Sequence, residues 1–211
     1  MKRTKVLKTT AIVLLALVLG IIAIFIIRNK NATYGFARDV PEAEQALRLK
    51  LVEAAENWLG SNEQAGSHQP IIDLYNRHEP LAQGYTVRYD DQWCATFVSA
   101  CAIEAELTQL IPTECGCQRQ IELFQDLNTW EEADDYLPLP GDIIYYCRNN
   151  KELAGDCTDW SDHVGIVVGT NGNRIKVIEG NYGDKVAYRY LSVDALMIRG
   201  YGIPDYSQLC P

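Results

Sequence analysis

The apolar pattern of this chain changes character once, after Pro140, and that change limits the fold more than any other feature. Before it, the periodicity is helical. "PEAEQALRLKLVEAAENWL" (41–59) repeats Leu47, Leu51, Ala54, Ala55 and Trp58 at helical spacing, as a core-packing stripe does. Pro41 suits a first turn, Glu42 and Glu44 favour the positive end of the dipole, and Gly60 is a stop signal. "QPIIDLYNRHEP" predicts a shorter helix before Pro80, residues from about 92 to 107 a third, and "CGCQRQIELFQDL" a fourth, with "GYTVRY" (84–89) a brief extended piece. After Pro140 come short runs rich in β-branched and aromatic residues: 142–147, 163–170, 174–181, 185–191 and 197–204. "TNGNR" between two of them signals a hairpin turn. Helices followed by a meander of strands predict an α+β arrangement with an antiparallel sheet.

Upstream lies a different kind of segment. Lys2, Arg3, Lys5 and Lys8 precede an uninterrupted apolar run, Ala11 to Ile27, closed by Arg28 and Lys30. With Thr9 and Thr10 a helix there is roughly 28 Å long, near the hydrocarbon thickness of a bilayer. The run is long for a cleaved signal peptide and no Ala-x-Ala follows, so residues 1–30 read as a basic tail and a transmembrane signal anchor spanning 9–27. More basic residues before the run than after it place the N-terminus in the cytoplasm of a single-pass membrane protein. Residues 31–40 are then a juxtamembrane linker, and 41–211 an extracellular domain.

Charge and cysteine usage fit that division. All 28 acidic residues but only 13 of the 19 basic ones lie after residue 30, a net −15 that excludes nucleic acid as a partner. The seven cysteines, Cys94, Cys101, Cys115, Cys117, Cys147, Cys157 and Cys210, all lie beyond the anchor, where disulfides persist. An odd number leaves one thiol over.

Three of these signals concern chemistry. His68 and His78 have polar surroundings and read as solvated, but His163 opens "HVGIVVG", whose apolar residues fill both faces of a buried strand. In "VIEGN", Val177, Glu179 and Asn181 share one face by alternation. A hairpin through "GTNGNR" sets Thr170 about opposite Arg174 and His163 about opposite 179–181, which predicts a contact between His163 and a carboxylate. Cys94 falls in the first turn of a helix, where free N–H groups and the dipole favour a thiolate. Cys101, two turns on, reads as a core or bridge residue. A thiol, a base and a carboxylate so placed match the logic of an activated nucleophile.

"WCATFVSAC", "PLPGDIIYY", "DHVGIVVG" and "VIEGN", in that order, resemble the CHAP domain, the cysteine, histidine-dependent amidohydrolase/peptidase family. The likeness runs from about residue 58 to 206. "GSHQPIIDLYN" and "IRGYGIPDY" are similar to membrane-anchored CHAP proteins of Gram-positive bacteria. The resemblance implies a papain-like fold, the nucleophile's helix packed on an antiparallel sheet, and a hydrolase of peptidoglycan amide bonds, either an N-acetylmuramoyl-L-alanine amidase or an endopeptidase. It assigns Cys94 as nucleophile, His163 as base, Glu179 as the residue orienting it and Asn181 as a fourth polar site residue. It implies no cofactor and no metal; Cys115 and Cys117 do not form a CxxC pair, which disfavours a zinc site. Cys94 becomes the odd thiol. Cys147 and Cys157 bracket a short insertion and pair by proximity; Cys115 and Cys117 are too close for an easy mutual bridge, so partners such as Cys101 and Cys210 are open to them, and the sequence does not choose the pairing. Tyr89, Trp93, Trp160 and Tyr182 flank the motifs and are candidates to line a groove. Glu179 and "WCATF" favour this family over the related NlpC-type endopeptidases. A non-catalytic wall-binding module and a disulfide-rich interaction domain with a bridged Cys94 are the rival readings.

Overall fold

The computed structural model describes residues 33–147, 157 and 160–210. The anchor expected at 9–27 lies outside them; among the described residues no helix is long and apolar enough to cross a membrane.

Four helices come first: α1 (Glu42–Glu56), α2 (Gln69–Asn76), α3 (Cys94–Glu104) and α4 (Cys117–Asp126). Each sits inside its expected range and is shorter. α1 buries Leu51, Val52, Ala54 and Ala55, and the Gln45 N–H bonds the Pro41 carbonyl at 2.9 Å, so Pro41 is its cap. Helix α3 is buried from Cys94 through Ala102, without a polar stripe, as befits a helix enclosed on all sides. α4 begins two residues later than Cys115 because Gly116 is extended.

The expected extended piece at 84–89 is not a strand. Ala82–Gly84 form a 3₁₀ turn. The backbone of Val87 is satisfied by a side chain instead of a neighbouring strand: Asn76 Nδ2 donates to the Val87 carbonyl at 2.8 Å, and the Val87 N–H donates to Asn76 Oδ1 at 3.0 Å.

The sheet has six strands, β1 (Trp130–Glu131), β2 (Ile143–Tyr146), β3 (His163–Asn171), β4 (Arg174–Glu179), β5 (Ala187–Ser192) and β6 (Ile198–Gly202), in the order β1-β6-β2-β3-β4-β5 with antiparallel pairs throughout. The expected meander holds for β2 to β5 only. β6 crosses back to the other side of β2, and the two-residue β1 was not foreseen. β2 is buried at all four positions, so both its edges need backbone partners, and β6 supplies the second set. One apolar cluster, including Leu51, Ile71, Phe97, Phe124, Tyr145 and Ile166, joins the helices to the sheet. Another, including Ile144, Tyr146, Val167, Val177 and Tyr201, covers the opposite face.

Two details of register differ from expectation. Asn171, not Thr170, pairs with Arg174, and a bulge shifts the ladder between Val167 and Gly169. β4 ends at Glu179, so Asn181 does not continue the alternation; it turns out of the strand with φ 53°.

Asp142, of the "PGD" stretch, is structural. It accepts from Arg48 Nη1 at 2.8 Å, the Tyr136 hydroxyl at 2.7 Å and the Leu139 N–H at 2.8 Å. Arg48 also reaches Glu44 at 2.7 Å and lies over the Tyr206 ring. This buried knot ties α1 to the start of β2. Asp142→Ala takes away the fully buried partner of Arg48 and leaves it Glu44 alone as a counter-charge, and the expected loss is about 3 kcal/mol in denaturant unfolding; a loss below 1 kcal/mol, the ~0–1 kcal/mol of a surface pair, would contradict the knot.

Candidate active site

The site is built from the loop before α3 and the ends of two strands. Trp93 precedes the helix in a non-helical conformation, fully buried, with Nε1 donating to Glu63 Oε1 at 2.9 Å and its ring against Phe97 and His68. The Phe97 N–H bonds the Trp93 carbonyl at 2.9 Å, so Cys94 is the first helical residue, and its sulfur stands at the open N-terminal end. A close approach to the sheet fixes this end. A Cβ on Gly180 would meet Phe97 Cγ at 2.6 Å and Trp93 Cζ3 at 2.9 Å, so a bare backbone there lets α3 settle against the end of β4.

His163 is the first residue of β3 and Glu179 the last of β4, and neither has solvent exposure. His163 Nε2 bonds Glu179 Oε2 at 2.8 Å, the contact expected from the sequence. It runs diagonally between strands, which Gly165 permits: a Cβ there would lie 2.7 Å from Glu179 Cγ and 2.6 Å from Val177 Cγ1. Tyr146, opposite His163 in register, stacks on the imidazole at 5.9 Å between centroids. With Nε2 engaged, Nδ1 has no hydrogen-bond partner and is the nitrogen left for the thiol.

Cys94 is a free thiol, 6% exposed. Its Sγ lies 3.6 Å from Cys117 Sγ, at the start of α4. The Cys117 hydrogen bond holds the Cys94 thiol well below its ordinary pKa against the opposing effect of burial, helped by His163 and the Ala95 N–H. Cys117 moves the other way, pushed up by Cys94 beside it, by burial and by Asp162, so it keeps its proton and donates. Burial opposes the His163 cation, but Cys94 and Glu179 outweigh it and raise the His163 pKa. Both shifts act in favour of a thiolate beside an imidazolium.

Asn181 comes to the same region by another route. It is buried, and its Nδ2 donates to Gln92 Oε1 at 3.3 Å, so it steadies the loop two residues before Cys94. Cys147 and Cys157 form the expected disulfide. No second bridge is made to Cys115 or Cys117. Cys101, Cys115, Cys117 and Cys210 are free: Cys101 is locked in buried α3, Cys117 faces Cys94, and Cys210 Sγ donates to the Tyr206 carbonyl. His68, expected in solvent, is buried with Nε2 on the Tyr89 carbonyl at 2.9 Å. Trp93 is core; Tyr89 and Trp160 are exposed, and Tyr182 lies under the Arg189 guanidinium. A cleft of about 670 Å³ lined by Glu63, His68, Arg88 and Tyr89 opens beside the Cys94 loop. No three His, Cys, Asp or Glu side chains among the described residues could hold a metal ion.

Sequence reasoning missed Cys117, Gln92 and Arg189, whose Nε bonds Glu179 Oε1 at 2.6 Å. The alternation of "AYRYLS" puts Arg189 and Ala187 on one face of β5, and Ala187 pairs with Glu179, which was the available signal.

Two expected outcomes follow from this geometry. Cys94 alkylates with iodoacetamide below the pH range of ordinary thiols, and Cys117→Ala, by removing the donor that lowers its pKa, moves that profile to higher pH; an unmoved profile would contradict the S–H donor role. Gly165→Ala forces Glu179 aside, so the His163 imidazolium loses its acceptor and deprotonates at lower pH in an NMR titration. An unchanged His163 titration would show that Glu179 does not depend on the bare position.

No curated protein matches the chain. Among solved structures, the crystal structure of Ly7917 is similar at a TM-score of 0.35, with 18% identity over 54% of this chain and 53% of that one. The structure of Ly7917 with the hydrolyzing product of MDP is similar at 0.41, with 14% identity over 74% and 62%. The chain thus spans less than two thirds of the Ly7917 chains it matches. Residues 84–181, the segment that holds Cys94, His163, Glu179 and Asn181, match the family model of the CHAP domain.

Proposed function

We propose that this chain is a cysteine-dependent peptidoglycan hydrolase that cleaves amide bonds. The observation that carries the reading is the buried His163–Glu179 pair with the Cys94 sulfur, at a helix start, interacting with the imidazole. The match of residues 84–181 to the CHAP domain supports it independently.

In the first half-reaction the Cys94 thiolate attacks the amide carbonyl carbon and forms a C–S bond, while the carbonyl oxygen takes the negative charge. Backbone N–H groups at the start of α3 face that oxygen, where preorganised donors stabilise developing charge. The C–N bond then breaks as His163 gives its proton to the leaving amine. In the second half, His163 takes a proton from water, the hydroxide attacks the thioester, and the C–S bond breaks to return the thiolate and release a carboxylic acid, which gives up its proton to solvent. Glu179 holds the ring in position and stabilises its cation throughout. The bond cut is that of an N-acetylmuramoyl-L-alanine amidase or of a peptidoglycan endopeptidase. The segment 9–27 anchors the chain in the cell membrane, with the N-terminus in the cytoplasm and the catalytic domain against the wall.

The test is digestion of purified Gram-positive peptidoglycan by the full chain in mild detergent, with fragments read by mass spectrometry. The parent releases fragments whose new termini separate amidase from endopeptidase. Cys94→Ala and His163→Ala each lose at least ~10³-fold. Equal release by the parent and Cys94→Ala, or none by the parent while Cys94 alkylates normally, would leave a wall-binding module and not a hydrolase.

A further inference from the structure

The fourth member of the buried chain lies outside the segment matched by the CHAP model. Glu179 sits between two neighbours that leave it room, the bare Gly165 on one side and the small Ala187 on the other. Across those gaps two side chains reach it diagonally, one from each flanking strand. His163 of β3 takes Oε2 at 2.8 Å, and Arg189 of β5, whose own register partner is Val177, takes Oε1 at 2.6 Å. Both oxygens of a carboxylate without solvent exposure are therefore engaged.

Arg189 is itself held in place. Its guanidinium lies 4.0 Å from the Tyr182 ring centroid and 5.5 Å from that of Tyr146, and Tyr146 stacks on His163. His163, Glu179, Arg189 and Tyr146 thus close a ring of contacts: hydrogen bond, ion pair, cation–π and stack. Nη2 of Arg189 is buried without a partner, so the planar Nε contact is what pins it to Glu179.

We propose that Arg189 is a positioning residue of the active site: it holds Glu179 in the orientation and charge state that lets His163 and Cys94 exist as an ion pair. The inference rests on the catalytic reading of Cys94 given above. Its argument is charge balance in a dry site. Among the described residues, the groups that interact there are Cys94 of α3, Cys117 of α4, Tyr145 and Tyr146 of β2, Asp162 just before β3, His163 of β3, Glu179 of β4, Tyr182 and Arg189. Of these, only His163 and Arg189 carry positive charge. With Cys94 ionised and His163 protonated, Arg189, Glu179, His163 and Cys94 alternate plus, minus, plus, minus, and these four sum to zero; Asp162, only half-buried, stands outside that chain. Without Arg189 the same state carries a buried net −1, which is costly in low dielectric. The cluster then recovers neutrality by keeping a proton on Cys94 or adding one to Glu179, and either way the ion pair is lost.

The experiment uses the full chain and reads the rate of Cys94 alkylation by iodoacetamide against pH, located by mass spectrometry, with near-ultraviolet circular dichroism as the fold control. Arg189→Met is expected to move the acid limb up by about one pH unit, a roughly tenfold slower reaction on that limb. Arg189→Lys, which keeps the charge without the planar fork, recovers most of the shift. Glu179→Gln displaces the limb by itself, and adding Arg189→Met to it moves the limb by less than the same substitution does in the parent, because Arg189 acts through the Glu179 carboxylate; a merely structural arginine would give two shifts that add. A folded Arg189→Met with the parent's profile, or a shift as large on the Glu179→Gln background as on the parent, overturns the proposal. Should Arg189→Met not fold, the double variant compared with Glu179→Gln carries the test: a limb near that of Glu179→Gln supports the proposal and one about a pH unit higher overturns it. No wall substrate enters this readout, so an active-site shift without peptidoglycan cleavage sinks the substrate reading alone, and cleavage without a shift sinks the role of Arg189 alone.

Discussion

The hydrogen bond between His163 and Glu179 is the contact on which the rest of the site depends. Both side chains are removed from water and are tolerable there because they are paired, His163 with Glu179 and Glu179 with both His163 and Arg189. The surrounding architecture serves that pairing. β3 and β4 are adjacent and antiparallel, a bulge after Val167 sets which residues come opposite, and Gly165 leaves the gap that Glu179 leans across. Gly180, at the end of the same strand, lets α3 press its first turn against the sheet, and so delivers Cys94 to the imidazole. Cys94 and His163 thus come from different layers and meet where the strands end.

The buried chain has a direction. Arg189 holds Glu179, Glu179 holds His163, and His163 together with Cys117 favours the thiolate of Cys94. Each step is short and shielded, and shielding strengthens electrostatic interactions that are weak in water. A thiolate at a helix start beside an imidazolium is suited to attack a carbonyl and then to protonate an amine, which is why an amide hydrolase is the activity proposed. The Asp142–Arg48 knot is as buried but does other work: it fixes α1 to the start of β2 and shares no hydrogen bond with Cys94, His163 or Glu179.

Much of this was legible in the residues. The change of period after Pro140 gave helices then strands, and Cys94, His163 and Glu179 were each found by a local signal, a helix start, an isolated histidine on an apolar strand and a carboxylate on its neighbour. What failed to show depended on three-dimensional proximity without a local pattern. Cys117 is 23 residues from Cys94 in sequence and meets it only because α4 starts beside α3. β6 returns to β2 because β2 is buried on both edges, which no strand pattern displays. The turn at Asn181 was hidden because strand alternation runs on past Glu179 on paper, whereas in the molecule Gly180 is pinned against Phe97 and the chain bends. His68 looked polar from its neighbours and is buried by Tyr89 and Trp93, which arrive later in the chain.

The claim at the centre of this account is that Cys94 stands ready as a thiolate before any substrate arrives. The most direct measurement is the pH dependence of thiolate ultraviolet absorbance, taken as the difference between the parent chain and Cys94→Ser. The account predicts one thiolate per chain appearing well below the ordinary thiol range, near pH 8.5, and absent from the variant. A difference spectrum that stays flat until that range is reached would contradict it, because Cys94 would then be a protonated core thiol and His163 a base without a partner.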